Sequence, residues 1–253
     1  MVGSHERVVM VAGVGTGLGT AIVSLLGKSG VATAGMARGR KALDTLAAAC
    51  ADQQRAFEPI EGDLRKREDV ERAVRTTLAR FHHIDGVVIS AGHWIQGDAL
   101  LHKISDEAWK SGLVDNLDPV FLLVRAAVPH FMERRAGSFV LVSAATPVRY
   151  AGVASYCVAK GGLLDLTFKL AKDYRPYGIR VNAVLPGNMA RDLDPSHIPP
   201  SEGPIRLTTD TATSPWEVAR AVVHLLSDEC RWVTGAALTV DGGQSTGGDE
   251  PTS

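Results

Sequence analysis

The sequence predicts an α/β fold: one doubly wound domain on a mainly parallel, seven-stranded sheet with helices on both faces. Seven short apolar runs alternate along the chain with segments of helical periodicity. Most of the helical segments exceed ten residues, so each can serve as a crossover that joins successive strands in parallel. The apolar runs show little polar alternation, as strands covered on both faces do.

Residues 7–13, RVVMVAG, are a buried strand ending on glycine. In residues 18–28, Leu18, Ile22, Leu25 and Leu26 share one helical face, and Gly30 is placed for a left-handed C-terminal cap. Residues 31–37 are a second strand, and the alanine-rich 40–50 a second helix. Residues 55–60 are a third strand, 67–81 a charged helix and 84–91, IDGVVISA, a central strand. Residues 106–135 are helical, as one helix or as two pieces, because Pro119 and Pro129 interrupt the segment. Residues 137–144 form a strand and 154–174 a helix closed by Pro176 and Gly178; the strand 179–185 runs into Pro186-Gly187. Residues 191–215 break the rhythm with five prolines, so 188–213 is expected to be a lid over a site. Ser214 and Pro215 then open a helix over 215–226, 237–240 is the last strand, and 247–253 reads as a frayed tail. With no internal repeat or linker, residues 1–253 read as one domain.

Composition excludes several functions. Lys+Arg 27 against Asp+Glu 28 leaves a net charge of −1, with no global field to draw the chain onto nucleic acid or an anionic membrane. Three cysteines without a C-x-x-C pair argue against a disulfide framework or zinc ribbon, and no metal site is expected. No apolar run is long enough to span a bilayer, and residues 1–7 do not resemble a secretory signal. A cytoplasmic location is the expectation.

Chemistry concentrates in two places. Gly13, Gly15, Gly17 and Gly19 lie between the first strand and its helix, with Thr16 and Leu18 among them. Glycines there let the backbone approach a pyrophosphate, and the helix N-terminus supplies free N–H groups and a positive dipole end. Leu18 makes the spacing G-x-x-x-G-x-G rather than G-x-G-x-x-G. Gly27-Lys28-Ser29 mimics the end of a phosphate loop, but Ile22 stands where that motif needs glycine, and the segment is helical. The second place is Tyr156 and Lys160, four residues apart and so on one helical face. An ammonium beside a phenol favours the phenolate and lowers a pKa that is ordinarily about 10. Ser143 ends the strand 137–144, at the sheet edge where ligands bind, ready to hydrogen-bond a carbonyl oxygen while Tyr156 donates the proton. At the end of the second strand, Ala37 lacks the carboxylate that would hold the ribose of NAD. Arg38 follows, with Arg40 and Lys41 close behind, so NADP(H) is expected and NAD(H) is the alternative.

In order and spacing, residues 7–244 resemble the short-chain dehydrogenase/reductase family, in its roughly 250-residue branch. The matching pieces are Gly13-x-x-x-Gly17-x-Gly19, Gly62-Asp63-Leu64, Ser90-Ala91-Gly92, Asn116, Ser143, Tyr156-x-x-x-Lys160, Pro186-Gly187 and Asp241-Gly242-Gly243. The resemblance implies a Rossmann domain and an oxidoreductase that moves hydride between a nicotinamide and a carbonyl or secondary alcohol. Tyr156 would be the general acid/base, and Lys160 would tune it and hold the nicotinamide ribose. Ser143 would orient the substrate oxygen, and Asn116 would position a water in a proton relay. Asp63 and Leu64 would flank the adenine; Ser90, Ala91, Gly92, Pro186, Gly187 and Met189 would complete the cofactor site. His93, Trp94, Ala145, Tyr150 and Asn188 would line the substrate pocket. The chain departs from the family's pattern at Ile89-Ser90, usually two asparagines, at Arg191, often a threonine, and at Thr16, where many NADP-dependent members are basic. A homodimer or homotetramer is implied through 106–135 and 154–174, where Phe121, Leu122, Val128, Phe131, Leu163, Leu166 and Phe168 offer apolar surface. A non-catalytic dinucleotide-binding sensor on the same fold is the alternative function. His82-His83 and Arg65-Lys66-Arg67 read as solvated, and Cys157 as a packing residue.

Overall fold

The computed structural model describes residues 7–94, 100–189, 193–194, 197–199 and 212–246. Among these residues seven strands form one sheet: β1 Val8–Ala12, β2 Ala32–Ala37, β3 Phe57–Glu61, β4 Gly86–Ile89, β5 Gly137–Val142, β6 Ile179–Pro186 and β7 Ala237–Val240. Their order is β3-β2-β1-β4-β5-β6-β7, and every pairing is parallel. The order reverses between β1 and β4, which opens a crevice beyond their carboxyl ends.

Among the described residues eight α-helices cover the sheet: α1 Leu18–Lys28, α2 Arg40–Asp52, α3 Arg67–Phe81, α4 Asp106–Asn116, α5 Asp118–Arg134, α6 Thr146–Tyr150, α7 Ala154–Tyr174 and α8 Pro215–Leu226. Alternation along β1 divides the core in two. Met10 and Ala12 face a cluster with Val74 of α3, Phe131 of α5 and Leu163 of α7. Val9 and Val11 face one with Ile22 of α1, Leu46 of α2 and Val222 of α8.

Local chemistry explains the element ends. Gly30 takes φ +74 beyond α1, and Gly178 takes φ +71 beyond α7. Ser214 accepts the Trp216 N–H at 3.3 Å, with Pro215 in the first turn of α8. The other end of α8 is closed by arginines: Arg180 donates to Leu225 O at 2.7 Å and Arg7 to Leu226 O at 2.6 Å.

Three expectations change. The helix over 106–135 is two helices, broken at Leu117 ahead of Pro119, but Pro129 lies inside α5 without ending it. Pro129 is on the exposed side, where water can satisfy the carbonyl its ring leaves unpaired. The third strand starts at Phe57, because the Arg55 N–H is spent closing α2 on Cys50 O. The short helix α6 follows β5 directly and was not expected.

Arg191, most of the proposed lid 188–213, and the tail 247–253 lie outside the described residues. Among the described residues no helix is long and apolar enough to cross a membrane, and no cluster of His, Cys, Asp and Glu is placed to hold a metal ion.

Candidate active site

The glycine loop divides its labour. Gly13 takes φ +100, and a Cβ there would lie 2.5 Å from the Ala91 nitrogen, so β1 and β4 meet only through glycine. The Gly13 and Val14 N–H groups both donate to Met36 O, at 2.9 and 3.0 Å, which turns the chain over the end of β2. A side chain at Gly19 would overlap Gly13 O. Among the described residues, by contrast, nothing would meet a Cβ on Gly15 or Gly17 within 4 Å. Nor does any described side chain cap α1, which leaves its first amides to an anion. Thr20 Oγ1 donates to Gly15 O and holds the loop's shape. Open glycines before an uncapped helix fit a dinucleotide pyrophosphate.

Across the crevice, Ser90 Oγ donates towards Ala12 O and Gly13 O at 3.0 and 3.2 Å. This hydroxyl joins β4 to β1 where the family usually carries an amide side chain. Asn116, fully buried, donates from Nδ2 to His93 O and Gly112 O at 3.1 and 3.0 Å and accepts the His93 N–H at 3.0 Å. Its amide protons are thus committed to stapling residue 93 to α4, and no proton of that side chain is left for the expected water. A Cβ on Gly92 would come within 2.8 Å of Lys160 Nζ and 2.9 Å of Asn116 Oδ1, so the staple and the lysine close on the same glycine.

Ser143, Tyr156 and Lys160 are all buried at the carboxyl edge of β5 and the start of α7. Ser143 Oγ donates to Lys160 O at 2.6 Å, and Lys160 Nζ donates to Val142 O at 3.0 Å. The ring of Tyr156 meets Trp94 edge-on, centroids 5.0 Å apart, and Gly152 leaves room for it, since a Cβ there would lie 2.7 Å from the ring. Burial, rather than the neighbouring ammonium, sets the ionisation. It pushes the Tyr156 phenol up to about 12 and the Lys160 ammonium down to about 8. The expected lowering of the tyrosine is therefore reversed in the chain by itself, because both charged forms lose their water.

That lysine has a consequence for stability. The folded chain sheds its proton near pH 8, whereas the unfolded lysine keeps it to about 10.5. Unfolding thus takes up a proton in this window, so stability rises with pH across it, by on the order of 3 kcal/mol for a shift of this size. Lys160→Met should flatten that rise in urea titrations at successive pH values. Curves for parent and variant that stay parallel would contradict the burial of a strained charge.

At the other end of the crevice, Gly13, Ala37, Arg38, Asp63 and Leu64 line a cleft of about 270 Å³ that continues past Ser90, Ala91 and Gly92 to exposed His93. A second cleft, about 510 Å³, runs from Thr16 and Arg38 to Lys41 and Thr45. Arg38 is exposed where the two join. Ala37 is buried and pairs with Glu61 across β2 and β3, with no carboxylate of its own in the cleft.

The remaining expected residues divide. Trp94 is at Tyr156, but Tyr150 is 73% exposed on α6, and Ala145 is fully buried with its N–H on Pro186 O. Gly187 has no room for a side chain: a Cβ would lie 2.6 Å from Thr213 Oγ1 and 2.5 Å from Gln244 Oε1. Asn188 is exposed and accepts the Thr213 N–H at 2.6 Å; Met189 bridges to Thr213. Asp241 accepts the Gly243 and Ser245 N–H groups at 2.9 and 2.8 Å, which accounts for Asp-Gly-Gly as a turn behind Gly187.

Gly112, which the sequence did not mark beyond a glycine within a helix, lets α4 cross α7. A Cβ there would overlap Ser155 Oγ and lie 2.5 Å from Ser155 Cβ. Ser155 adjoins Tyr156, and Gly112 O holds Asn116. Gly112→Ala should therefore cost about 1–3 kcal/mol in urea unfolding and lower turnover, the usual penalty of an overfilled contact. Parent-like stability and activity would contradict so close a crossing.

An open glycine loop at the switch point, facing a buried serine, tyrosine and lysine, defines a nicotinamide-dinucleotide oxidoreductase. A family profile described as enoyl-(acyl carrier protein) reductase matches residues 13–245. The chain is 32% identical over 249 residues to 2-(S)-hydroxypropyl-CoM dehydrogenase 3 of Xanthobacter autotrophicus, covering 95% of this chain and 97% of that one. It is 29% identical to a 3-oxoacyl-(acyl carrier protein) reductase of Thermotoga maritima, covering 94% and 97%. A 3-ketoacyl-ACP reductase structure from Sinorhizobium meliloti superposes with a TM-score of 0.84 at 27% identity, over 95% and 99% of the two chains. An actinorhodin polyketide ketoreductase structure with NADPH gives 0.83 at 25%, over 97% and 99%. The chain belongs to the short-chain dehydrogenase/reductase family and is an NAD(P)-dependent oxidoreductase.

Proposed function

We propose that the chain interconverts a carbonyl and a secondary alcohol with NADP(H), Tyr156 being the general acid/base. One observation carries the reading: buried Ser143, Tyr156 and Lys160 gather at the end of β5 and the start of α7, with Lys160 Nζ against Gly92, which lines the cleft that begins at Gly13. When bound, the nicotinamide supplies or accepts the hydride. Gly15, Gly17 and the first amides of α1 would hold the pyrophosphate, Arg38 the 2′-phosphate, Asp63 and Leu64 the adenine, and Lys160 the nicotinamide ribose. A phenol that keeps its proton to about pH 12 is a proton donor at neutral pH, which suits reduction of a carbonyl. Ser143 must turn its hydroxyl from Lys160 O to reach a substrate oxygen. The relatives' names support a carbonyl or hydroxyl substrate, and the ketoreductase structure with NADPH supports the cofactor. The test is turnover of NADPH against a panel of ketones, 3-oxoacyl thioesters, steroids and sugars. Tight NADPH binding with no turnover on any of them would favour the sensor.

We place the enzyme in the cytosol, consistent with its three free cysteines. It acts as a homodimer or homotetramer. Of the apolar residues expected at the interface, Val128, Phe131 and Leu163 are core, but Phe121 and Phe168 stand 55% and 60% exposed on α5 and α7. Light scattering that gives a monomer at micromolar concentration would refute the assembly.

A further inference from the structure

Arg65 opens a basic run that reads as solvated, yet it spans the adenine end of the cleft. Its Nη2 and Nε donate to Asp63 Oδ2 at 2.7 and 3.1 Å, and its Nε and backbone N–H to Asp63 Oδ1 at 3.0 Å each. Its Nη1 reaches across to Asp115 Oδ1 on α4 at 3.1 Å. Ser111 Oγ donates to the other oxygen of Asp115 at 3.3 Å, and the Asp63 N–H is fixed by Asp69 Oδ2 at 2.9 Å. The two carboxylates are only 16% and 17% exposed, against 41% for the guanidinium. Asp63, Arg65 and Asp115 all line the cleft that begins at the glycine loop, and among the described residues Asp63 and Asp115 are its acidic groups.

We infer that Arg65 is a positioning residue for the cofactor: it fixes Asp63 and Asp115 and offsets one of their two charges, so that the cleft can take the adenine half of a polyanionic dinucleotide. This rests on the reading of the cleft as the NADP(H) site. Two half-buried carboxylates facing one cleft would repel the phosphates of an incoming cofactor, and a planar guanidinium can bond both at once where a lysine could not match the paired geometry. Isolated surface ion pairs contribute little, but a forked pair within a three-residue network is the case that does. The Arg65 guanidinium holds the Asp63 carboxyl at about 2, so Asp63 is ionised throughout the neutral range and its charge needs a partner there. Asp115 is followed directly by Asn116, so the bridge also ties the adenine end to the helix that staples His93.

The test is equilibrium binding of NADPH and of reduced nicotinamide mononucleotide, which has no adenine half, to the parent, Arg65→Ala and Arg65→Lys. Arg65→Ala should weaken NADPH about tenfold or more, as losing a charge-assisted hydrogen bond does. Arg65→Lys should fall between it and the parent. Affinity for the mononucleotide should stay within about twofold in both variants, because that ligand does not reach Asp63. Unchanged NADPH affinity in Arg65→Ala, or an equal loss for both ligands, overturns the inference. A parent that binds neither ligand overturns the cofactor reading itself.

Discussion

Tyr156→Phe is expected to bind NADPH as the parent does and to turn over carbonyl substrate about 10² to 10⁴ times more slowly. The substitution removes only an oxygen, so the ring keeps its edge contact with Trp94 and its place against Gly152. What is lost is the buried phenol beside Ser143 and Lys160 in the proposed site, with a proton to give at neutral pH. Steady-state turnover and cofactor titration, measured together, separate the two effects. Activity above a tenth of the parent's would remove Tyr156 from the role. Lys160→Ala should lose both turnover and cofactor affinity, because Lys160 Nζ lies between Val142 O and Gly92 at the base of the same crevice.

The second large effect is on cofactor choice. The parent should prefer NADPH to NADH in kcat/KM, and Ala37→Asp should swing the preference towards NADH. Residue 37 ends β2 at the mouth of both clefts, and a carboxylate there would repel a 2′-phosphate while accepting from the ribose hydroxyls of NADH. Arg38→Ala should shrink the preference by removing the guanidinium that faces both clefts. One charge-assisted bond lost or one like-charge pair created moves such a ratio by about tenfold or more. A parent that already prefers NADH, or an Arg38→Ala enzyme with an unchanged ratio, would show that Arg38 only opens a solvated loop.

Much of the fold was legible because burial leaves a period in the sequence. The strands announced themselves as apolar runs, and Gly30, Gly178 and Ser214 marked the helix ends with residues suited to those backbone positions. Tyr156 and Lys160 were legible because spacing of four on a helix fixes a shared face. Properties set by distant parts of the chain were less so. Pro119 and Pro129 look alike in sequence, but only Pro119 coincides with a helix start, and the exposure of Pro129 depends on how α5 lies on the sheet. Asn116 was marked by resemblance alone, and its two hydrogen bonds to His93 arise from the meeting of α4 with the chain after β4. Arg65 read as a solvated charge because its partner Asp115 is fifty residues away. The ionisation of Tyr156 was misjudged for the same reason: spacing shows that an ammonium is near, but not that burial outweighs it.

In the proposed reaction, hydride moves between NADP(H) and a carbonyl with a proton from Tyr156. It can be followed by mixing the parent and Tyr156→Phe, in a single turnover, with NADPH carrying deuterium on the transferred position and each ketone of the panel. Deuterium is expected on the carbinol carbon of the product with the parent, and formation slowed at least a hundredfold in the variant, roughly the low end of what a general acid supplies. Saturating NADPH binding with no deuterium in any product, or transfer at equal rates by both proteins, would contradict it.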